Sequence, residues 1–79
     1  MSPTIFRSGN QRFFFFSREE KRMHIHIDSP EGEAKFWLEP TVALANYAGF
    51  SKRDLLEIQK KVEERADEFR KSWKQYFGT

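Results

Sequence analysis

The stretch Arg22-Met23-His24-Ile25-His26-Ile27-Asp28 decides how this chain folds. Polar and apolar residues alternate along it, the period-2 pattern of a strand with one face on a core. Met23, Ile25 and Ile27 fall on one side, and His24, His26 and Asp28 on the other. Both histidines of the protein stand here, and histidine is the side chain that most readily exchanges a proton near neutral pH.

Working outward, Asp28-Ser29-Pro30-Glu31-Gly32 is a turn rich in breakers. Glu33 to Glu39 then alternates again. Ala34, Phe36 and Leu38 share one face, and Lys35, Trp37 and Glu39 share the other. The short connection makes the two strands an antiparallel pair. Such a pair can gather His24, His26, Asp28, Lys35, Trp37 and Glu39 on one face, in a register that the sequence leaves open.

Upstream, Pro3 to Arg7 is a short extended segment and Ser8-Gly9-Asn10-Gln11 a turn signal, so Arg12 to Ser17 reads as the second strand of a hairpin. Phe13, Phe14, Phe15 and Phe16 put rings on both faces of that strand. Either both faces are covered, one by a helix and one by a partner or second copy, or one pair is sheltered by the stems of Arg and Lys. Ser17 to Arg22 is a charged loop. Beyond Pro40, the apolar run Thr41 to Ala48 reads as about two helical turns closed by Gly49, with a loop or further strand as the alternative.

The C-terminal helix starts with a capping box, Ser51 as N-cap and Asp54 three residues on, with Phe50 placed to staple Leu55. Leu55, Ile58, Val62, Ala66, Phe69, Trp73, Tyr76 and Phe77 recur at three- and four-residue spacing, one apolar stripe that Gly78 closes. A helix over residues 52–77 is about 39 Å long, longer than a four-stranded sheet is wide. Its end, bearing Trp73, Tyr76 and Phe77, should therefore wrap back or meet a partner. The expectation is one α+β domain: a small antiparallel sheet of three to four strands, at about residues 4–7, 12–17, 23–28 and 33–39, packed against a long C-terminal helix.

Composition bounds what such a domain can do. Seventy-nine residues bury about 60% of the unfolded surface. With no cysteine there is no disulfide or thiolate metal site, and nine Phe, two Trp and two Tyr supply the apolar area instead. An enclosed substrate pocket does not fit, so any chemistry belongs on a surface groove or at an oligomer interface. The formal charge of +2 is a mild basic bias. The first residues carry no signal-peptide pattern, and no apolar run approaches the ~20 residues needed to span a bilayer. The chain reads as a cytoplasmic protein with no membrane partner.

Three constellations carry chemistry. His24 and His26 at i and i+2, with Asp28 in the same row, could chelate a metal, but two imidazoles do not make a site and further ligands are not visible. Neither a metal nor another cofactor is expected. Histidines also suit acid–base work on RNA, where one group takes the 2′-hydroxyl proton, another protonates the leaving oxygen and a cation holds the phosphate. Here His24 and His26 would be catalytic, Arg12, Arg22 or Lys35 would hold phosphate, and Trp37 would stack on a base. On the helix, Lys52, Arg53, Lys60, Arg70, Lys71 and Lys74 are interleaved with acids at i,i+4 spacing, which describes a solvated, salt-bridged face. There is no Gly-rich phosphate loop and no Ser or Cys nucleophile motif.

Met1-Ser2-Pro3-Thr4-Ile5, Arg12-Phe13-Phe14-Phe15-Phe16-Ser17, His24-Ile25-His26-Ile27, Gly32 to Pro40, Gly49-Phe50-Ser51, Trp73 and Tyr76-Phe77-Gly78 together carry a resemblance. Nearly the whole chain resembles the bacterial family catalogued as domain of unknown function four-one-six-zero. Many members have Pro-Pro before the first histidine, where Arg22-Met23 stands here, so the entry to this strand should be less rigid. The resemblance implies a small stand-alone protein encoded beside a second small uncharacterised one, a layout like a toxin–antitoxin pair. It supplies no catalytic residues.

The leading expectation is thus a component of a bacterial toxin–antitoxin-like module with a small protein partner, acting on RNA as a metal-independent ribonuclease through its histidine face. The alternative is a non-catalytic interaction module, forming a homo- or hetero-oligomer through Phe14, Phe16, Trp73, Tyr76 and Phe77. A small metal-binding protein is the third reading.

Overall fold

The computed structural model describes residues 4–16 and 21–78. Within them the chain forms β1 (Thr4–Ser8), β2 (Gln11–Phe14), β3 (His24–Ser29), β4 (Gly32–Trp37), β5 (Ala43–Ala48), α1 (Lys52–Glu64) and α2 (Ala66–Phe77). The α+β class and the antiparallel sheet are as expected. The sheet has five strands rather than three to four, and the long helix is two. Strand order in the sheet follows chain order, so each strand pairs with its predecessor. Ser17, the expected end of the second strand, and the first part of the charged loop lie outside the described residues.

The first hairpin closes at Ser8↔Gln11 with Gly9 at φ +60°, a backbone that glycine adopts without a Cβ penalty. The β3–β4 hairpin closes at Ser29↔Gly32 around Pro30 and Glu31. The Glu31 carboxylate accepts from Ser29 Oγ at 3.0 Å and from Asn10 Nδ2 at 3.2 Å, which ties the two hairpin turns together.

Thr41 to Ala48 does not form helical turns. Ala43–Ala48 pairs with β4 as an edge strand, and Gly49 at φ +86° ends a strand instead of capping a helix. Alanine favours helix locally, but the tertiary contact overrides it. The backbones at Glu31–Gly32 and Ala48–Gly49 approach so closely that a Cβ on Gly32 would strike the Ala48 carbonyl, and one on Gly49 the Glu31 carbonyl. This contact locks β5 beside β4. The pairing runs Lys35↔Asn46 and then Phe36↔Leu44, so Ala45 is an extra residue, a β-bulge.

The capping box is present: Ser51 Oγ accepts from the Asp54 N–H at 3.1 Å, and Asp54 Oδ2 accepts from the Ser51 N–H at 3.3 Å. The helix then breaks at Arg65, at φ −116° and ψ 14°, where the N–H bonds back to the Val62 carbonyl at 3.2 Å. No Gly or Pro causes this break. A straight helix of about 39 Å would overhang a molecule whose longest extent is 34 Å. The break lets α2 follow the sheet. Arg65 lays its guanidinium 3.9 Å from the Phe6 ring, and Arg70 Nε donates to the Leu38 carbonyl at 2.8 Å. The second helix therefore wraps back against the sheet. Gly78 closes α2 at φ +73°, its N–H on the Lys74 carbonyl at 2.8 Å.

Phe13, Phe15, Ile25, Ile27, Ala34, Phe36 and Leu38 face the helices and meet Ile58, Val62, Phe69 and Trp73 in one core. Each fully buried large apolar side chain contributes about 1.5–3 kcal/mol. The phenylalanine run divides: Phe13 and Phe15 are buried under α2, and Phe14 and Phe16 lie on the opposite face.

Candidate functional site

Cross-strand partners share a face, so the register sets what stands together on the open side. One row reads Arg12, Asp28, Glu33, Ala48 across β2 to β5, and the next reads Phe14, His26, Lys35, Asn46. A third sets His24 opposite Trp37. The expected sharing of a face by the histidines, Asp28, Lys35 and Trp37 is realised in this register. Glu39 lies past the end of β4, where its carboxylate accepts from the Met23 N–H at 3.2 Å. The first two rows line a shallow groove of about 700 Å³ that Phe16 borders.

His26 stands in this groove, half-buried. Its ring stacks on Phe14 with centroids 5.5 Å apart and 24° between planes, and Phe16 meets it edge-on at 5.6 Å. Two aromatic walls fix the direction of the imidazole while leaving it open to the groove.

His24 has a different setting. It is 0% exposed. Its Nδ1 lies 2.7 Å from the Arg22 carbonyl. A carbonyl only accepts, so Nδ1 carries the proton. Trp73 at 5.0 Å, His26 at 5.1 Å and Trp37 at 5.9 Å surround the ring edge-on. The two histidines, adjacent in the strand pattern, thus divide: one lines a surface groove, and the other is enclosed by the C-terminal helix.

The cations also divide. Arg12 and Lys35 line the groove. Arg12 Nε donates to Thr4 Oγ1 at 2.6 Å, and its guanidinium lies 4.3 Å from the Phe14 ring. Arg22 stands beside the groove, its Nε donating to the Glu39 carbonyl at 3.0 Å and its guanidinium 4.1 Å from the Trp37 ring. Lys35 Nζ lies 4.6 Å from the same ring. Both cations lie against the Trp37 indole, so a base stacking there must displace one of them. Asp28 and Glu33 add negative charge to the groove in the row that Arg12 begins, beside the row of Phe14, His26 and Lys35.

Of the residues expected to meet a partner, Phe14 borders the groove, and Phe16 is 49% exposed. Tyr76 is 47% exposed and Phe77 half-buried. Trp73 is a core residue at 3% exposure, 4.3 Å from the Phe77 ring and 5.3 Å from Phe15. Among the described residues no three of His, Asp and Glu stand close enough to hold a metal ion.

Sequence reasoning missed Asn46, Tyr47 and Ala48, the β5 contribution to the groove. The available signal was an uncharged segment bounded by Pro40 and Gly49, of strand length. It also missed Glu33 as the cross-strand partner of Asp28.

A family model described as "Domain of unknown function (DUF4160)" matches residues 11–74, a span that holds β2 to β5, α1 and most of α2. No curated protein and no solved structure matches the chain.

Proposed function

For a chain that belongs to the domain of unknown function family DUF4160, we propose a role as a component of a bacterial, cytoplasmic toxin–antitoxin-like module that takes single-stranded RNA across its open sheet face. One observation carries this reading: the row Phe14, His26, Lys35 on an uncovered sheet, with Arg12 beside it. Unpaired bases bind by stacking on exposed aromatic faces, while cations alongside hold the phosphates. A shallow, open groove admits a splayed strand.

His26 is the proton carrier of this face. In cleavage it would accept the 2′-hydroxyl proton as that oxygen attacks the adjacent phosphorus. The 5′-oxygen would leave and take a proton from solvent. His24, enclosed and donating to the Arg22 carbonyl, would act as a positioning residue for the His26 end of the strand.

The test is expression in a bacterial host, with and without the neighbouring gene. Growth arrest that the neighbour relieves and that His26→Ala abolishes is the expected result. Arrest unchanged in His26→Ala would sink the site.

A second reading keeps the module and drops the RNA: a non-catalytic protein that binds its neighbour's product. Exposed Phe16 and Tyr76 favour it. It predicts a harmless chain that co-purifies with the neighbouring product and loses it on Phe16→Lys.

A further inference from the structure

Resting on the RNA reading of the open face, we propose that the base taken there is guanine, read by Asn46 of β5 and Glu33 of β4. Both side chains are exposed and line the groove. Asn46 Oδ1 accepts from the Tyr47 N–H at 2.9 Å. A backbone N–H only donates, so this contact fixes which way the amide is turned. Its oxygen is engaged, and Nδ2, with two N–H groups, is the half presented to a ligand.

In the register, Asn46 stands across from Lys35 and Ala48 across from Glu33. Asn46 and Glu33 are thus diagonal neighbours, about 7–8 Å apart at the backbone. Ala48 beside them offers only a methyl group, which leaves room for a flat ring. Glu33 has no evident use for phosphate, since its carboxylate repels that group. It also stands across from Asp28, and like charges in that position cost stability. Arg12 faces Asp28 from the other side, whereas Ala48 faces Glu33. A base edge rich in donors answers that carboxylate.

The order of the groups selects the base. The groove presents a donor, Asn46 Nδ2, and then two acceptors, the Glu33 carboxylate oxygens. Unpaired bases are read on their Watson–Crick edges. That edge of guanine runs acceptor, donor, donor: the 6-oxygen, the ring N–H and the 2-amine. Uracil ends in a second carbonyl, which the carboxylate repels. Adenine and cytosine each place a bare ring nitrogen, an acceptor, in the middle of the edge. Guanine alone satisfies both side chains. Lys35 stands between Asn46 and His26 in its row, in position for the phosphate that joins the guanosine to its neighbour.

Fluorescence anisotropy on the full chain tests this with labelled single-stranded RNAs of uridine, alike but for one central residue: guanosine, inosine, adenosine, cytidine or uridine. The wild-type chain is expected to bind the guanosine strand about fivefold or more tighter than the adenosine, cytidine and uridine strands. Inosine, which lacks the 2-amine, is expected in between. Asn46→Asp keeps an acceptor for the Tyr47 N–H and turns an oxygen toward the base, and Glu33→Gln removes one of the two acceptors. Each is expected to lose the preference for guanosine, with an unchanged circular dichroism spectrum because both side chains are exposed. Equal binding of all the strands by the wild-type chain overturns the guanine assignment and leaves the RNA reading standing. So does a preference that survives both variants, or inosine bound as tightly as guanosine, a comparison that needs no variant to fold. A chain that binds none of the strands overturns both.

Discussion

Trp73 of the second helix meets His24 of the third strand edge-on, with ring centroids 5.0 Å apart. This contact is where the helical layer closes over the end of the sheet that carries the histidines. It makes the histidine strand depend on the far end of the chain.

Trp73→Ala should therefore cost more than its own packing. Large aromatic-to-alanine changes in a core cost about 3–5 kcal/mol. The ring also contacts Phe15 and Phe77, so the loss should fall at the upper end of that range. Urea unfolding followed by circular dichroism measures it. A cost under about 1 kcal/mol would mean that α2 is not seated as described.

The two histidines should separate by assay. His24→Ala removes a fully buried ring and its hydrogen bond to Arg22, and should destabilise by about 2–4 kcal/mol. His26→Ala removes a half-buried groove ring and should destabilise far less, while abolishing growth arrest. Paired stability and growth measurements on the two variants check this, and equal stability losses would refute the division.

Phosphate contacts should show in salt dependence. If Arg12 and Lys35 each hold one phosphate, each alanine variant lowers the slope of log affinity against log salt by roughly 0.7 for a single strand. Fluorescence anisotropy with a labelled single-stranded RNA reads that slope. Arg53→Ala, an exposed change at the start of α1, should leave it unaltered.

Gly49→Ala should destabilise by about 2 kcal/mol or more, combining left-handed backbone with collision against the Glu31 carbonyl. Gly32→Ala, which drives a methyl into the Ala48 carbonyl, should be comparable. Gly9→Ala meets no atom within 4 Å and should cost only the backbone term, about 1–2 kcal/mol. Thermal melts of the three variants give the order. A Gly9 variant as damaged as the Gly49 variant would contradict the close approach of the two loops.

Local rules made much of this fold legible. Alternation alone placed His24 to Asp28 and Ala34 to Trp37 on strands, and a short turn paired them. The capping box and apolar stripe located the helix. The rest depends on contacts between segments distant in the chain. β5 stood only as an alternative to helical turns because alanine favours helix and because the bulge at Ala45 breaks the period of 2. The break at Arg65 has no sequence mark, since it answers to the extent of the sheet beneath it. Within the site, the shared face was legible, but the burial of His24 was not: Trp73 covers it, and nothing near His24 in sequence announces that.

Chain-order strand pairing has a consequence for synthesis. As the polypeptide leaves the ribosome, each new strand meets a template already made, from β1 through β5, with no long loop to close. The helices emerge after the sheet. Until they arrive, the nascent sheet shows Phe13, Phe15, Ile25 and Phe36 to solvent, and His24 is uncovered. The enclosed histidine is thus a late acquisition of the sheet, completed by residues translated only after all five strands.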